Sequence, residues 1–316
     1  MRRFLFTTLT LLTCFFSVNA QKTTITNLEV DKLISPLGLD NKNPDFSWII
    51  KSEDYDVAQT HYQIFVATDQ IFSKNSLVWD SGKVTSDKSV YVMYEGKELS
   101  YDTKYFWTVK VWTNKSKRST QSKIMNWKTG LMNADNWKSN WISVSTRDRD
   151  ESHAPYFIND FGLNKNIISA NLYITSRGIY EAHINGKRVG DSFLTPGWTS
   201  YNNRIQYQAY DVKEMLLRGE NRIGVILANG WFKNFRPNRR DRITDYGDGT
   251  SFISELIITY QDGTKESIID DQNWNYHFGA IRSSSIYDGE TCLLYTSDAA
   301  DEGLGVDLGG LSIIKK

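Results

Sequence analysis

The chain has 316 residues, with 37 basic and 37 acidic side chains and a formal net charge of zero. That balance argues against the basic surface a nucleic-acid partner needs, and against a polybasic membrane anchor. Aromatic residues make up 13% of the chain and there are only two cysteines, which favours β structure and excludes a disulfide framework.

Residues 1–20 read as an export signal. Arg2 and Arg3 precede the apolar run FLFTTLTLLTCFFSV, and Val18-Asn19-Ala20 offers a small-x-small cleavage site before Gln21. The expected location is periplasmic or extracellular. Cys14 also admits a lipid anchor, but Thr13 before it and the apolar run beyond it fit that pattern poorly. No later stretch has the roughly 20 apolar residues of a membrane span.

Residues 21–131 carry short alternating runs between turn residues. They are NPDFSWII (Asn43 to Ile50), HYQIFVAT (His61 to Thr68), SDKSVYVMY (Ser86 to Tyr94) and KYFWTVKVWT (Lys104 to Thr113). Alternation of this length predicts half-buried strands, and their spacing predicts a fibronectin type III or immunoglobulin-like sandwich. Residues 132–141, around NADNWKSNWI, read as a linker.

Residues 142–291 read as strands again. Asn185-Gly186 and Asp262-Gly263 each predict a hairpin turn, because these residues tolerate positive φ. YDVKEMLLRGENRI allows one short helical turn at most. The expected fold is all-β, with a fibronectin-like sandwich followed by a jelly-roll-like sandwich.

Motifs for common chemistries are missing. There is no phosphate loop, zinc-protease helix, nucleophile elbow or C-x-x-C, and GLGVDLGG near the end follows no strand. His61, His153, His183 and His277 are too scattered for a metal site. Asp241, Asp245 and Asp248 share one loop and admit either calcium binding or plain turn chemistry. No pair of carboxylates stands out as a glycosidase pair.

The segment INGKRVGDSFLTPGWTSYNNRIQYQAYDV, Ile184 to Val212, is the most specific in the chain. Its Asn185-Gly186, Arg188 to Asp191, Pro196 to Thr199, Tyr201, Arg204, Tyr207 and Tyr210 to Val212 resemble the N-terminal domain of bacterial α-L-rhamnosidases, glycoside hydrolase family 78. GENRIGVILANGWF and SSIYDGE continue the likeness. SPLGLDNKNPDFSWII, VWDSGKV, YFWTVKVWT and WKTGL resemble that family's leading fibronectin-like domain.

The resemblance implies an inverting glycosidase acting on a rhamnose-containing glycan. It also implies that the catalytic carboxyls lie on an (α/α)6 barrel in C-terminal domains beyond this chain. No catalytic residue is therefore assigned here. Some family members carry related domains that bind rhamnose with calcium. On this chain the sugar-binding candidates are Trp198, Tyr201 and Trp231 for stacking, with Asp191, Asn202, Asn203 and Arg204 for hydroxyls. For each aromatic, packing in a core or domain joint stands beside sugar contact as a reading.

After Thr291 the family pattern stops. CLLYTSDAADE, Cys292 to Glu302, resembles one translated frame of a transposase sequencing adapter. Residues 292–316 are therefore expected to be adapter-derived and without a fold of their own.

Overall fold

The computed structural model describes residues 23–145, 153–233, 246–247, 249–269, 273–286 and 289–293. The proposed signal, Cys14, the loop aspartates Asp241, Asp245 and Asp248, and residues 294–316 lie outside the described residues. No helix among the described residues is long and apolar enough to cross a membrane.

Among the described residues, ten strands precede residue 130. They are β1 (Thr24–Val30), β2 (Leu37–Leu39), β3 (Asp45–Lys51), β4 (Gln59–Ala67), β5 (Leu77–Asp80), β6 (Val84–Thr85), β7 (Val92–Met93), β8 (Lys104–Thr113), β9 (Ser116–Gln121) and β10 (Met125–Thr129). After a 3-10 turn at Ala134–Asn136 come β11 (Pro155–Leu163), β12 (Ile167–Arg177), β13 (Ile179–Ile184), β14 (Lys187–Arg188) and β15 (Gln208–Asp211). A second 3-10 turn, Lys213–Met215, is followed by β16 (Gly219–Ala228), β17 (Ser251–Tyr260) and β18 (Lys265–Ile269). The last are β19 (Asn275–Phe278), β20 (Ile281–Ser285) and β21 (Gly289–Cys292). The all-β expectation holds, but the expected loss of fold from residue 292 does not hold at its start: Cys292 pairs with Ile281 in β21, and Leu293 N–H donates to the Ala280 carbonyl at 2.9 Å.

The chain divides into two compact units. Of the described residues, 23–34, 44–96 and 106–125 belong to the first, and 35–43, 97–105 and those from 126 onward belong to the second.

In the first unit β3 lies between β1 and β7, all antiparallel. A second set of pairings joins β4 to β8 from Gln59↔Thr113 to Ala67↔Phe106, with β5 and β6 also on β4 and β9 on β8. The alternation of FSW and YFWTVKV turns large rings inward. Phe46, Trp48, Ile64, Val66, Trp107, Val109 and Val111 are all buried. Phe46 packs on Trp107 with ring centroids 4.7 Å apart, and Trp48 meets Tyr62 edge-on at 5.5 Å.

The strand predicted over Ser86–Tyr94 is mostly irregular, and only Val92–Met93 pairs. The reason is a side chain. Gln59 Nε2 donates to the carbonyls of Ser86 and Lys88, at 3.1 and 2.8 Å, and so takes up acceptors a ladder would use.

In the second unit two sheets face one core. One sheet runs β14-β13-β16-β11-β19 and the other β15-β12-β17-β18. Phe157, Leu172, Ile174, Ile184, Val225, Leu227, Phe252, Leu256 and Ile258 fill the space between them. Both predicted hairpins form. Asn185 and Gly186 take φ of 51° and 78° between β13 and β14, and Gly263 takes 81° between β17 and β18.

Strand β17 is buried at nine of its ten positions, so the alternation of a half-exposed strand is lost. Phe252, Leu256 and Ile258 face the core, and Ile257 packs with Leu131 and Tyr173. The stretch read as a linker supplies part of that second cover. Lys138 N–H donates to Glu255 Oε2 at 2.9 Å, Ser139 Oγ bonds the Ser254 carbonyl, and Ile142 bridges to Phe252.

A buried polar node ties three other segments of this unit together. Asp102, 1% exposed at its side chain, receives Lys128 Nζ at 2.6 Å, Lys265 Nζ at 2.8 Å and the Tyr173 hydroxyl at 2.8 Å. Beside it, Tyr207 donates its hydroxyl to Asp40 Oδ1 at 2.6 Å and accepts the Leu131 N–H at 2.9 Å. A Cβ on Gly130 would sit 2.0 Å from that hydroxyl, so only glycine allows this approach. Burial pushes the Tyr173 and Tyr207 hydroxyls well above the usual phenol range, which keeps both as neutral donors.

Candidate functional site

The loop from Val189 to Tyr207 carries most of the sequence-predicted site. It is pinned at its middle to β13. Tyr180 N–H donates to the Thr195 carbonyl at 2.9 Å, and Thr195 Oγ1 returns a bond to the Tyr180 carbonyl at 3.1 Å. Gln208 Nε2 donates to the Pro196 carbonyl at 3.3 Å. These bonds fix the residues on either side of the Thr195-Pro196 cis peptide.

Tyr201 is buried and anchors the loop from beneath. Its hydroxyl donates to the Gly197 carbonyl at 3.0 Å, and its ring meets Phe232 and Tyr246 edge-on at 5.3 and 5.0 Å. Burial raises its phenol above the ordinary value. Tyr201 therefore supports the loop and presents no face to solvent.

Trp198 is the opposite. It is 65% exposed, a costly place for a large indole unless something covers it. Its ring lies nearly parallel to that of Trp231, at 8° with centroids 6.5 Å apart. Trp231 is half-buried at the end of the β16 connection. The two tryptophans thus come from segments 33 positions apart in numbering and meet at one end of the sandwich.

Asn202, Asn203 and Arg204 are exposed in a tight turn just after Trp198. Thr199 Oγ1 donates to the Arg204 carbonyl at 2.6 Å, and the N–H groups of Asn203 and Arg204 both donate to the Ser200 carbonyl. Asn203 Nδ2 also bonds Ser200 Oγ at 3.0 Å. The Asn202 amide and the Arg204 guanidinium have no partner among the described residues. Asp191 is exposed, and its carboxylate likewise has no partner among them.

Sequence reading missed a neighbouring cluster. Glu181 Oε1 meets His183 Nε2 at 2.7 Å, and Glu181 Oε2 lies 3.1 Å from Arg188 Nε. The His183 hydrogen bond holds the Glu181 carboxyl below its usual range, with Arg188 adding to the effect. The Arg188 guanidinium covers the Phe193 ring at 4.4 Å and donates to the Ser192 carbonyl. Alternation along YEAHI places Glu181 and His183 on one face, but nothing in it announces their pairing with Arg188.

Among the described residues no three His, Cys, Asp or Glu side chains gather as a metal site. The calcium reading concerned Asp241, Asp245 and Asp248, which lie outside them.

Two family models match the chain. Residues 25–133 match the Rha78A-like, N-terminal immunoglobulin domain, and residues 165–296 match the alpha-L-rhamnosidase N-terminal domain. The chain belongs to the alpha-L-rhamnosidase family by its N-terminal domains. An alpha-L-rhamnosidase of Formosa agariphila is 34% identical over 92% of this chain and 34% of its own length. The solved alpha-L-rhamnosidase from Dictyoglumus thermophilum is 35% identical, with a TM-score of 0.76 over 84% of this chain and 31% of that one. The Streptomyces avermitilis alpha-L-rhamnosidase structure shares the fold, with a TM-score of 0.80 at 24% identity over 92% of this chain and 44% of that one. The chain spans about a third of the length of the curated relatives it matches.

Proposed function

We propose that this chain is the non-catalytic N-terminal part of an exported α-L-rhamnosidase that removes terminal α-L-rhamnose from glycans or glycosides. The observation that carries this reading is the tandem match of two N-terminal family domains, at 25–133 and 165–296, in a chain one third as long as its relatives. Catalysis would then belong to the family's helical barrel, with residues 1–20 as the export signal. Domain limits of 21–131 and 142–291, and an adapter origin for 292–316, are part of the same proposal. The purified chain should release no nitrophenol from p-nitrophenyl α-L-rhamnopyranoside above a buffer blank. Steady turnover that scales with protein concentration would overturn the proposal.

A second reading rests on one observation, the exposed Trp198 ring lying nearly parallel to Trp231. Exposed indole faces stack on the apolar face of a sugar, while neighbouring amide and guanidinium groups bond its hydroxyls. On this reading the second sandwich binds rhamnose by itself, through Trp198 and Trp231 with Asn202, Asn203 and Arg204. The calcium expected from Asp241, Asp245 and Asp248 in the sequence belongs to this same reading. Trp198→Ala tests it, through the loss of rhamnose binding argued in the Discussion.

A further inference from the structure

At the opposite end of the second sandwich lies a shallow, wide-open cleft of about 470 Å³ lined mostly by polar residues. It opens where the β11–β12 turn, the start of β16 and the β17–β18 turn converge, away from the Trp198 end of the same strands. Six of its seven lining residues are exposed, and only Tyr260 is buried. Its lining is unusual for a drug-like pocket and ordinary for a sugar. Three amides, Asn164, Asn166 and Gln261, stand with Lys165, Arg218 and Asp262, and Tyr260 is the one ring.

The walls are braced. Gln261 N–H donates to the Asn166 carbonyl at 2.9 Å, and Asn166 Nδ2 donates to Gln261 Oε1 at 3.2 Å. Lys165 Nζ bonds Asp262 Oδ2 and Thr264 Oγ1, each at 3.0 Å, and lies over the Tyr260 ring. Asp262 Oδ1 is occupied by the N–H and hydroxyl of Thr264. Those bonds, with Lys165, bring the Asp262 carboxyl down to about 2, so it is ionised at neutral pH and matched by Lys165. The charge left over is Arg218. Its guanidinium has no hydrogen-bond or ion-pair partner among the described residues, and neither does the Asn164 amide.

A planar guanidinium with open donors is suited to bidentate contact with a carboxylate or a sulfate. Amides beside it suit hydroxyls, since each offers both a donor and an acceptor. We propose that this cleft binds an anionic sugar unit, a glycan residue bearing a carboxylate or a sulfate, with Arg218 on the anion and Asn164, Asn166 and Gln261 on the hydroxyls. The inference does not depend on the tryptophan site, because the two lie at opposite strand ends.

The test is a calorimetric titration of the folded chain with glucuronate, glucose 6-sulfate, glucose and inorganic sulfate. At least one of the two charged sugars should bind ten or more times tighter than glucose, and which one does identifies the anionic group. Arg218→Gln, at an exposed position and with melting unchanged, should weaken that sugar about tenfold, and Asn164→Ala should weaken it less. Trp198→Ala should leave it unaltered. Equal affinity for charged and neutral sugars would overturn the proposal, as would an unaffected Arg218→Gln variant. Inorganic sulfate binding as tightly as glucose 6-sulfate would overturn the sugar component.

Discussion

Replacing Asp102 by alanine is expected to destabilise the second unit by about 3–5 kcal/mol, the usual cost of stranding a buried partner charge. Its carboxylate is 1% exposed and holds Lys128, Lys265 and the Tyr173 hydroxyl together. Lys265 is 48% exposed and can turn to water, but Lys128 is 11% exposed and cannot do so without moving β10. A loss of this size lowers the melting temperature by roughly 10 °C in a unit of this length. A melting curve within about 2 °C of the parent chain would contradict it.

The same variant has a pH signature. Burial is the largest influence on Lys128 and holds its ammonium below the usual lysine range, while Asp102 pulls the other way. Without Asp102 the depression deepens. A lysine depressed in the folded state costs stability in full below its folded value. That cost fades as pH rises towards the unfolded value of about 10.4. The deficit of Asp102→Ala should therefore narrow as pH rises towards the unfolded value of about 10.4, and a constant deficit would show that Lys128 is not its source.

If the second sandwich binds L-rhamnose as proposed, removing the Trp198 ring should weaken that binding about thirtyfold. Truncating a central aromatic contact costs about 2 kcal/mol, and each 1.4 kcal/mol is tenfold in affinity. Stability should hardly change, because Trp198 is 65% exposed and its only ring partner among the described residues is Trp231. That separation of binding from folding gives the variant its value. Trp231→Ala should act in the same direction. Calorimetric titration would report both, and rhamnose binding that survives Trp198→Ala would remove the second reading.

Much of this was legible beforehand, and the reasons are local. Asn185-Gly186 and Asp262-Gly263 reported their hairpins because few residue pairs accept those dihedrals. Alternation in β4 and β8 reported the first sandwich because one face of each strand is buried. Alternation failed at β17, where both faces are covered, and at Ser86–Tyr94, where the Gln59 amide replaces a ladder.

The site was legible in part. Trp198 and Trp231 were singled out and do come together. Tyr201 was singled out with them but lies underneath, since loop aromatics carry no periodicity that separates a buried ring from an exposed one. The Asp102 node was invisible. An aspartate in SYDTKY reads as turn chemistry, and its partners Tyr173 and Lys265 are 71 and 163 residues away.

The most direct test of the assignment is to sequence the source DNA across codons 280–316 from genomic template. After Thr291 the genomic frame should leave CLLYTSDAADE behind and run on into further β domains and a helical barrel. Genomic codons for Cys292 to Glu302, followed by a stop after Lys316, would contradict it. The protein would then be a two-sandwich protein in its own right.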